Sequence, residues 1–296
     1  MKKEEITIRD PFVLLHDDTY YIYGTRSATT WTYADGFDCY TTKDLKEFNG
    51  PFEIFKAPKD FEFTKNFWAP ECYEINNKFY FVTTFGNDDI KQGIYVMESS
   101  SPLGPFKLYS SRLTPDDWTS IDGTLYFEED TPYLIFSHSF EDEGIVDGDY
   151  CIVELSKDLK NKVSEPKVLF KAKTSKWAVP VPFAKAEFGI DGDVYFSDGP
   201  NVLKTDDGSL YMAISSWGEK GYAVGVLKSQ TGKIMGPWIH QDEPIYPFNG
   251  GHGMFFRDKE NNIVFTLHSQ SGDNEYPLFY KVEINNGIMK LTEEIK

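Results

Sequence analysis

Five times along this chain a carboxylate or an imidazole stands a short, nearly constant distance ahead of an aromatic-rich run. The five residues are Asp10, Glu71, Asp122, Asp198 and His252, and the runs centre on Tyr21, Tyr80, Tyr133, Tyr211 and Val264. The offsets are 11, 9, 11, 13 and 12 residues, and the run centres lie 59, 53, 78 and 53 residues apart. A period of roughly 50 residues built from short strands is the sequence form of a β-propeller, with one repeat per blade. A strand that lines the axis of such a ring points its opening residue into a shared funnel. Three of the five openers are aspartates, and carboxylates gathered around one cavity are suited to acid–base catalysis.

The remainder of each repeat fits four strands. The first two are joined by turn residues such as His16-Asp17-Asp18, Asn76-Asn77 and Asp206-Asp207-Gly208, the chemistry of tight hairpins. A third apolar run follows, then a corner; Gly104-Pro105-Phe106 and Gly236-Pro237-Trp238 mark two of these corners. The 16% aromatic content suits strands, where rings pack on a half-buried pleat. The expectation is an all-β, five-bladed propeller with four-stranded blades around a central funnel, one domain over residues 1–296. The long interval between the third and fourth repeats holds additional material around Lys171 to Asp191, expected at one mouth of the funnel, beside the site.

The net charge of −17 lacks the positive footprint that displaces counterions from nucleic acid, and it disfavours anionic membranes. Cys39, Cys72 and Cys151 form no CxxC pair, so neither a disulfide framework nor a structural zinc site is expected. No stretch is long enough to span a bilayer, and the charged N-terminus carries no signal-type apolar core; a cytoplasmic protein is expected.

Taken singly, Asp10 before Pro11, Asp122 before Gly123 and Asp198 before Gly199-Pro200 read as turn residues. Their matching offsets in three repeats raise them to catalytic candidates. Glu71 reads as a paired strand-start residue or a substrate contact, Trp68 as core or as a platform for a sugar ring. His252, between Gly251 and Gly253, comes close to the axis and is a structural hydrogen bonder or a holder of water or metal. Substrate contacts are assigned to Trp68, Glu71, His138, Trp217 and Arg257. P-loop, GxGxxG, GxSxG and HExxH motifs are absent.

With Arg9-Asp10-Pro11-Phe12, Trp68-Ala69-Pro70-Glu71, Ile121-Asp122-Gly123-Thr124, Ser197-Asp198-Gly199-Pro200 and Gly250-Gly251-His252-Gly253 in order, one per repeat, the chain resembles glycoside hydrolase family 43. The resemblance implies inverting hydrolysis of arabinose- or xylose-containing oligosaccharides, with Asp10 as general base, Asp198 as general acid and Asp122 as the residue that raises the acid's pKa. It implies an exo-acting α-L-arabinofuranosidase, then a β-xylosidase, no cofactor for the chemistry, and a calcium ion at the propeller centre that His252 helps hold through waters. Asp198 departs from the glutamate usual in the family, which makes Glu187 the substitute acid. The competing classes are a sugar phosphorylase, whose phosphate cluster Arg26, Arg112 and Arg257 do not supply, and a non-catalytic sugar-binding propeller.

Overall fold

The computed structural model describes residues 1–269 and 274–296. Its strands form five antiparallel sheets of four, each from one continuous stretch of chain. Strands β1 to β4 are Ile8–His16, Thr19–Arg26, Gly36–Thr42 and Phe48–Lys56; β5 to β8 are Lys65–Ile75, Lys78–Gly86, Gly93–Ser99 and Lys107–Leu108. The third sheet holds β9 to β12, Ser120–Glu128, Thr131–His138, Asp149–Glu154 and Lys167–Lys171. The fourth holds β13 to β16, Asp198–Lys204, Leu210–Gly218, Gly221–Ser229 and Trp238–His240; the fifth holds β17 to β20, Gly250–Arg257, Ile263–Ser269, Pro277–Asn285 and Ile288–Glu294. The inner strands close a ring, since β1 touches β5 and β17, β9 touches β5 and β13, and β13 touches β17. This is a five-bladed β-propeller, as the repeat requires.

Packing between blades explains why the strand runs read as continuously apolar rather than alternating. Strand β14 is buried along almost its whole length, because both faces of a blade lie against a neighbour. The core is accordingly divided among the blade interfaces. Tyr23, Phe37, Phe81 and Phe85 join blades one and two, while Tyr211, Val224, Phe265 and Phe279 sit among the blades that close the ring. Hairpin tips carry the turn residues named above, with left-handed backbone at Asp17-Asp18 and Asn76-Asn77, as two-residue type I′ turns demand.

One device recurs at the centre of all five blades. Each inner strand carries a bulge that sets two residues against one on its partner. The register jumps between Arg9 and Phe12, Trp68 and Glu71, Asp198 and Asn201, and Gly251 and Met254, and opposite Ile135 and Ser137 in blade three. A left-handed residue marks every bulge: Asp10 (φ 52°), Ala69 (45°), Asp122 (60°), Gly199 (51°) and His252 (46°). Each is followed by Pro or Gly. This register corrects the equivalence read from offsets alone. Asp10, Asp122 and His252 share one seat, Asp198 lies one residue before it, and Glu71 lies two after it.

The bulge N–H groups are bonded from blade to blade. Ala69 N–H donates to Thr25 Oγ1 (2.8 Å), Asp122 N–H to Thr84 Oγ1 (3.1 Å), His252 N–H to Ser215 Oγ (2.8 Å), and Asp10 N–H to His268 Nδ1 (3.2 Å). Those acceptors hold equivalent places on the second strands, opposite the residue that precedes each bulge. At the remaining interface Gly199 N–H turns to Asp122 Oδ2 (3.3 Å), and the equivalent Ser137 Oγ is left without a partner.

Removing an acceptor from a buried donor costs about 1–3 kcal/mol, whereas deleting an already idle hydroxyl costs little. Ser215→Ala is therefore expected to lower the unfolding free energy by about 1–3 kcal/mol, and Ser137→Ala by less than about 0.5 kcal/mol. Equal losses in urea denaturation would show that the ring of inter-blade bonds carries no stability.

Candidate active site

The bulges open onto a funnel of about 810 Å³. Asp10, Asp122, Asp198 and His252 line its deep end, and Trp68, Trp217 and Tyr222 line its walls. The segment inserted between blades three and four adds Phe183, Glu187 and Phe188 to the rim, the last two from the five-residue helix Ala184–Phe188. Its apolar residues Val181 and Ala184 pack on Phe140 and Val194, which fixes the insertion at the mouth.

Three carboxylates converge on one imidazole nitrogen. His252 Nδ1 lies 3.1 Å from Asp198, 3.6 Å from Asp10 and 3.9 Å from Asp122. The nearest oxygens of Asp10 and Asp198 are thus no further apart than the first two lengths laid end to end. That limit falls at the short edge of the roughly 6.5–9.5 Å found between the carboxyls of inverting glycosidases. Asp10 accepts a hydrogen bond from Thr25 Oγ1 (2.6 Å). Asp198 accepts one from the Tyr222 hydroxyl through Oδ2, and its backbone is held by Tyr150, whose oxygen accepts from Asp198 N–H (3.1 Å). Gly251 lets this happen: a Cβ there would stand 2.0 Å from the Tyr222 ring.

Burial alone would discharge His252, but the charges of Asp10, Asp122 and Asp198 outweigh it and carry its pKa to about 10, so the ring is a cation. Burial, then the neighbouring Asp198 charge, pushes Asp122 well above the carboxylate range. Burial pushes Asp198 the same way, yet its hydrogen bonds with Asp122, His252 and Tyr222 hold it below that range. His252 and Tyr222 both reach Asp198 and favour its charged form. His268 accepts from Asp10 N–H through Nδ1, and burial holds it neutral, its pKa down to about 3.

Trp68, Trp217 and Glu187 border the funnel as expected, and three other assignments change. Glu71 sits below the floor, where it accepts from the Tyr73 hydroxyl and, at 3.4 Å, from Asn201 Nδ2; the bulge shifts it two residues past the funnel. His138 is buried flat on Trp118, with ring centroids 3.9 Å apart, and bonds Asp142 at 2.9 Å. Arg257 ends β17 at the hairpin far from the funnel and pairs with Asp206 at 2.9 Å. Arg26 is paired with Asp38, and Arg112 donates to main-chain carbonyls, so neither enters the funnel.

Sequence reasoning passed over the funnel's own cation. Arg9, one residue before Asp10, bonds Glu275 (2.9 Å) and lies 5.3 Å from the ring of Trp31. Trp31 is 73% exposed, which marks it as a rim platform rather than core, and it meets Trp68 edge-on at 5.4 Å. The doublet Arg9-Asp10 was visible in the landmark motif; Trp31 and Glu275 lie in loops that carry no repeat signal.

Asp122, Asp198 and His252 each present a donor atom within 4.8 Å of the others. A calcium ion, which takes six to eight oxygens, would draw most of its ligands from water here. His252 Nδ1 faces Asp198 Oδ1 at 3.1 Å.

The model of the family described as Glycosyl hydrolases family 43 matches residues 5–286. An endo-arabinase from Bacteroides thetaiotaomicron VPI-5482 is 30% identical, with a TM-score of 0.86 over 97% of this chain and 98% of that one. An endo-1,4-beta-xylanase from the same organism is 25% identical, with a TM-score of 0.77 over 99% and 97%. An alpha-L-arabinofuranosidase from Lactobacillus brevis, 17% identical with a TM-score of 0.74 over 96% and 93%, shares the fold. No curated protein sequence matches the chain.

Glu71 offers a test of the buried axis. Burial raises its pKa from 4.5 to about 7, against the pull of Tyr73, Thr124, His252 and Asn201. A raised pKa favours the neutral form in the fold, so this stabilisation is complete below pH 4.5 and is lost as pH rises through about 7. Across that window Glu71→Gln is expected to lose less stability than wild type, by on the order of 3 kcal/mol. Parallel pH profiles of the two proteins would show that Glu71 does not titrate there.

Proposed function

The chain belongs to family 43 of the glycosyl hydrolases, and from that premise we propose that it hydrolyses α-L-arabinofuranosyl linkages in short oligosaccharides with inversion at the anomeric carbon. The observation that carries this reading is the convergence of Asp10, Asp122 and Asp198 at the deep end of one aromatic-walled funnel. The likeness to the endo-arabinase, the more similar of the two Bacteroides proteins, favours arabinose as the sugar. The likeness to the endo-1,4-beta-xylanase keeps xylose as the second reading.

In this reading the scissile bond lies above the His252 cluster. Asp10, held by Thr25, takes a proton from water on one face of the sugar. Asp198, with Asp122 behind it, serves the leaving-group oxygen on the other face. The His252 cation offsets the repulsion among the carboxylates gathered around it. Trp68 and Trp31 at one wall and Trp217 at another offer faces on which sugar rings stack. Arg9, fixed by Glu275, presents donors for sugar hydroxyls.

Wild type is expected to release 4-nitrophenol from the α-L-arabinofuranoside faster than from the β-D-xyloside, with the inverted sugar as first product by proton NMR. Asp10→Ala is expected to lose about 10²–10⁴-fold in rate. Retention of anomeric configuration, or an Asp10→Ala variant as fast as wild type, would overturn the mechanism. Preference for the xyloside would move the substrate to xylose.

A further inference from the structure

Three of the chain's four arginines are tied to the protein through two or three guanidinium nitrogens. Arg26 donates to Asp35 and Asp38, Arg112 to four main-chain carbonyls, and Arg257 to Asp206 and the Asn261 carbonyl. Arg9 differs. It lines the funnel, and among the described residues only its NH1 is hydrogen-bonded, to Glu275 Oε1 at 2.9 Å. Glu275 is 9% exposed, so the pair is nearly withdrawn from water while both partners still border the funnel. Such a pair sets guanidinium donors beside a carboxylate acceptor, an arrangement that two adjacent hydroxyls satisfy together.

The depth of the pair follows from the strand that carries it. Strand β1 runs inward from the mouth, since Ile8 pairs with Arg26 at the end of β2 and the Asp17-Asp18 hairpin lies at the far end. Arg9 therefore stands one residue nearer the mouth than Asp10. Trp31 stands at the rim beside it, its ring 5.3 Å from the guanidinium, and Trp68 Nε1 pins the loop by donating to Thr30 C=O at 2.7 Å. Below the His252 cluster the axis is filled by Glu71, Tyr73 and Asn201. A sugar at the cluster is thus the last of its chain, and whatever is joined to it leads outward past Arg9.

We propose that Arg9, Glu275 and Trp31 form the subsite for the leaving-group sugar, which makes them specificity-determining residues for a neutral oligosaccharide. The proposal rests on the reading of the carboxylate cluster at Asp10 and Asp198 as the place of bond cleavage. The sugar to be released fills the deep end, and its neighbour lies on the exposed face of Trp31 with two adjacent hydroxyls on the pair. Arg9 donates to one hydroxyl and Glu275 accepts from the other, so each buried polar group gains a partner. A substrate without those hydroxyls leaves both groups short of one, and a site built on hydroxyl recognition discriminates strongly against it. Glu275 offsets the charge of Arg9, and Glu141 and Glu187 also border the funnel, so a neutral sugar is favoured over an anionic one.

The test compares kcat/KM on α-1,5-arabinobiose and on methyl α-L-arabinofuranoside, with xylobiose and methyl β-D-xyloside in their place if wild type prefers them. Both leaving groups are alkoxides that need a proton, but only the biose carries a leaving sugar. Wild type is expected to favour the biose by about 10²-fold or more. Arg9→Met, Glu275→Ala and Trp31→Ala are each expected to cut that preference about tenfold or more. Turnover of the methyl glycoside reports whether the deep site is intact. Variants that keep the wild-type preference would overturn the subsite. Equal losses on both substrates would assign the three residues to the deep sugar or to the fold, and overturn it too. Calorimetry on Asp10→Ala with and without Arg9→Met separates the proposal from its premise. A biose affinity that falls more than the affinity for arabinose supports the outer-sugar subsite even if wild type cleaves neither substrate, an outcome that would sink only the hydrolytic reading. Affinities that fall equally, or not at all, would overturn the subsite whatever the turnover.

Discussion

The centre of the molecule depends on a left-handed residue repeated five times around an axis. A bulge with φ near +50° turns the backbone so that its N–H points sideways into the next blade and its side chain points inward. Four of the five N–H groups then find a threonine, serine or histidine acceptor on the preceding blade. Ring closure is part of the same pattern, since His268 of the last blade accepts from Asp10 of the first. The bond that aligns the general-base candidate is also one that closes the propeller.

The fifth interface breaks the pattern, and the break lies at the chemistry. Gly199 bonds the Asp122 carboxyl instead of Ser137, so one carboxyl both links blades three and four and stands beside Asp198 at the funnel's deep end. Burying three carboxylates within 4 Å of one point would be untenable without compensation. His252 supplies a positive charge at the point where they meet. Two glycines make room for this: Gly199, where a Cβ would touch the His252 ring at 3.0 Å, and Gly251, beneath Tyr222. The strained backbone is thus tied to the electrostatics of the site, with stability and reactivity drawing on the same residues.

Much of this was legible in the chain. The period of about 50 residues, the hairpin turns and the aromatic runs led to five blades, because a propeller repeats its local chemistry. Asp10, Asp122 and His252 were legible for the same reason, each standing before Pro or Gly at equal places in its repeat. Asp198 and Glu71 were grouped with them although the bulge shifts each to another seat, and a shift of one or two residues changes which layer of the axis a side chain occupies. For Asp198 the result is still a place at the cluster; for Glu71 it is a place beneath the floor. Arg257 misled because a charged residue at the end of an inner strand says nothing about which end of the funnel it faces.

The sequence by itself determined the number of blades, their turns and the residues that sit on the bulges, since these follow from local backbone preference and spacing. Only the tertiary structure decided what the bulges bring together. The partnership of Tyr222 with Asp198, the bond from Gly199 to Asp122, the charge on His252 and the pairing of Arg9 with Glu275 all join residues from different parts of the ring. A pKa is set by distance and burial, neither of which a repeat pattern contains, so the electrostatics of the site emerge only once the ring is closed.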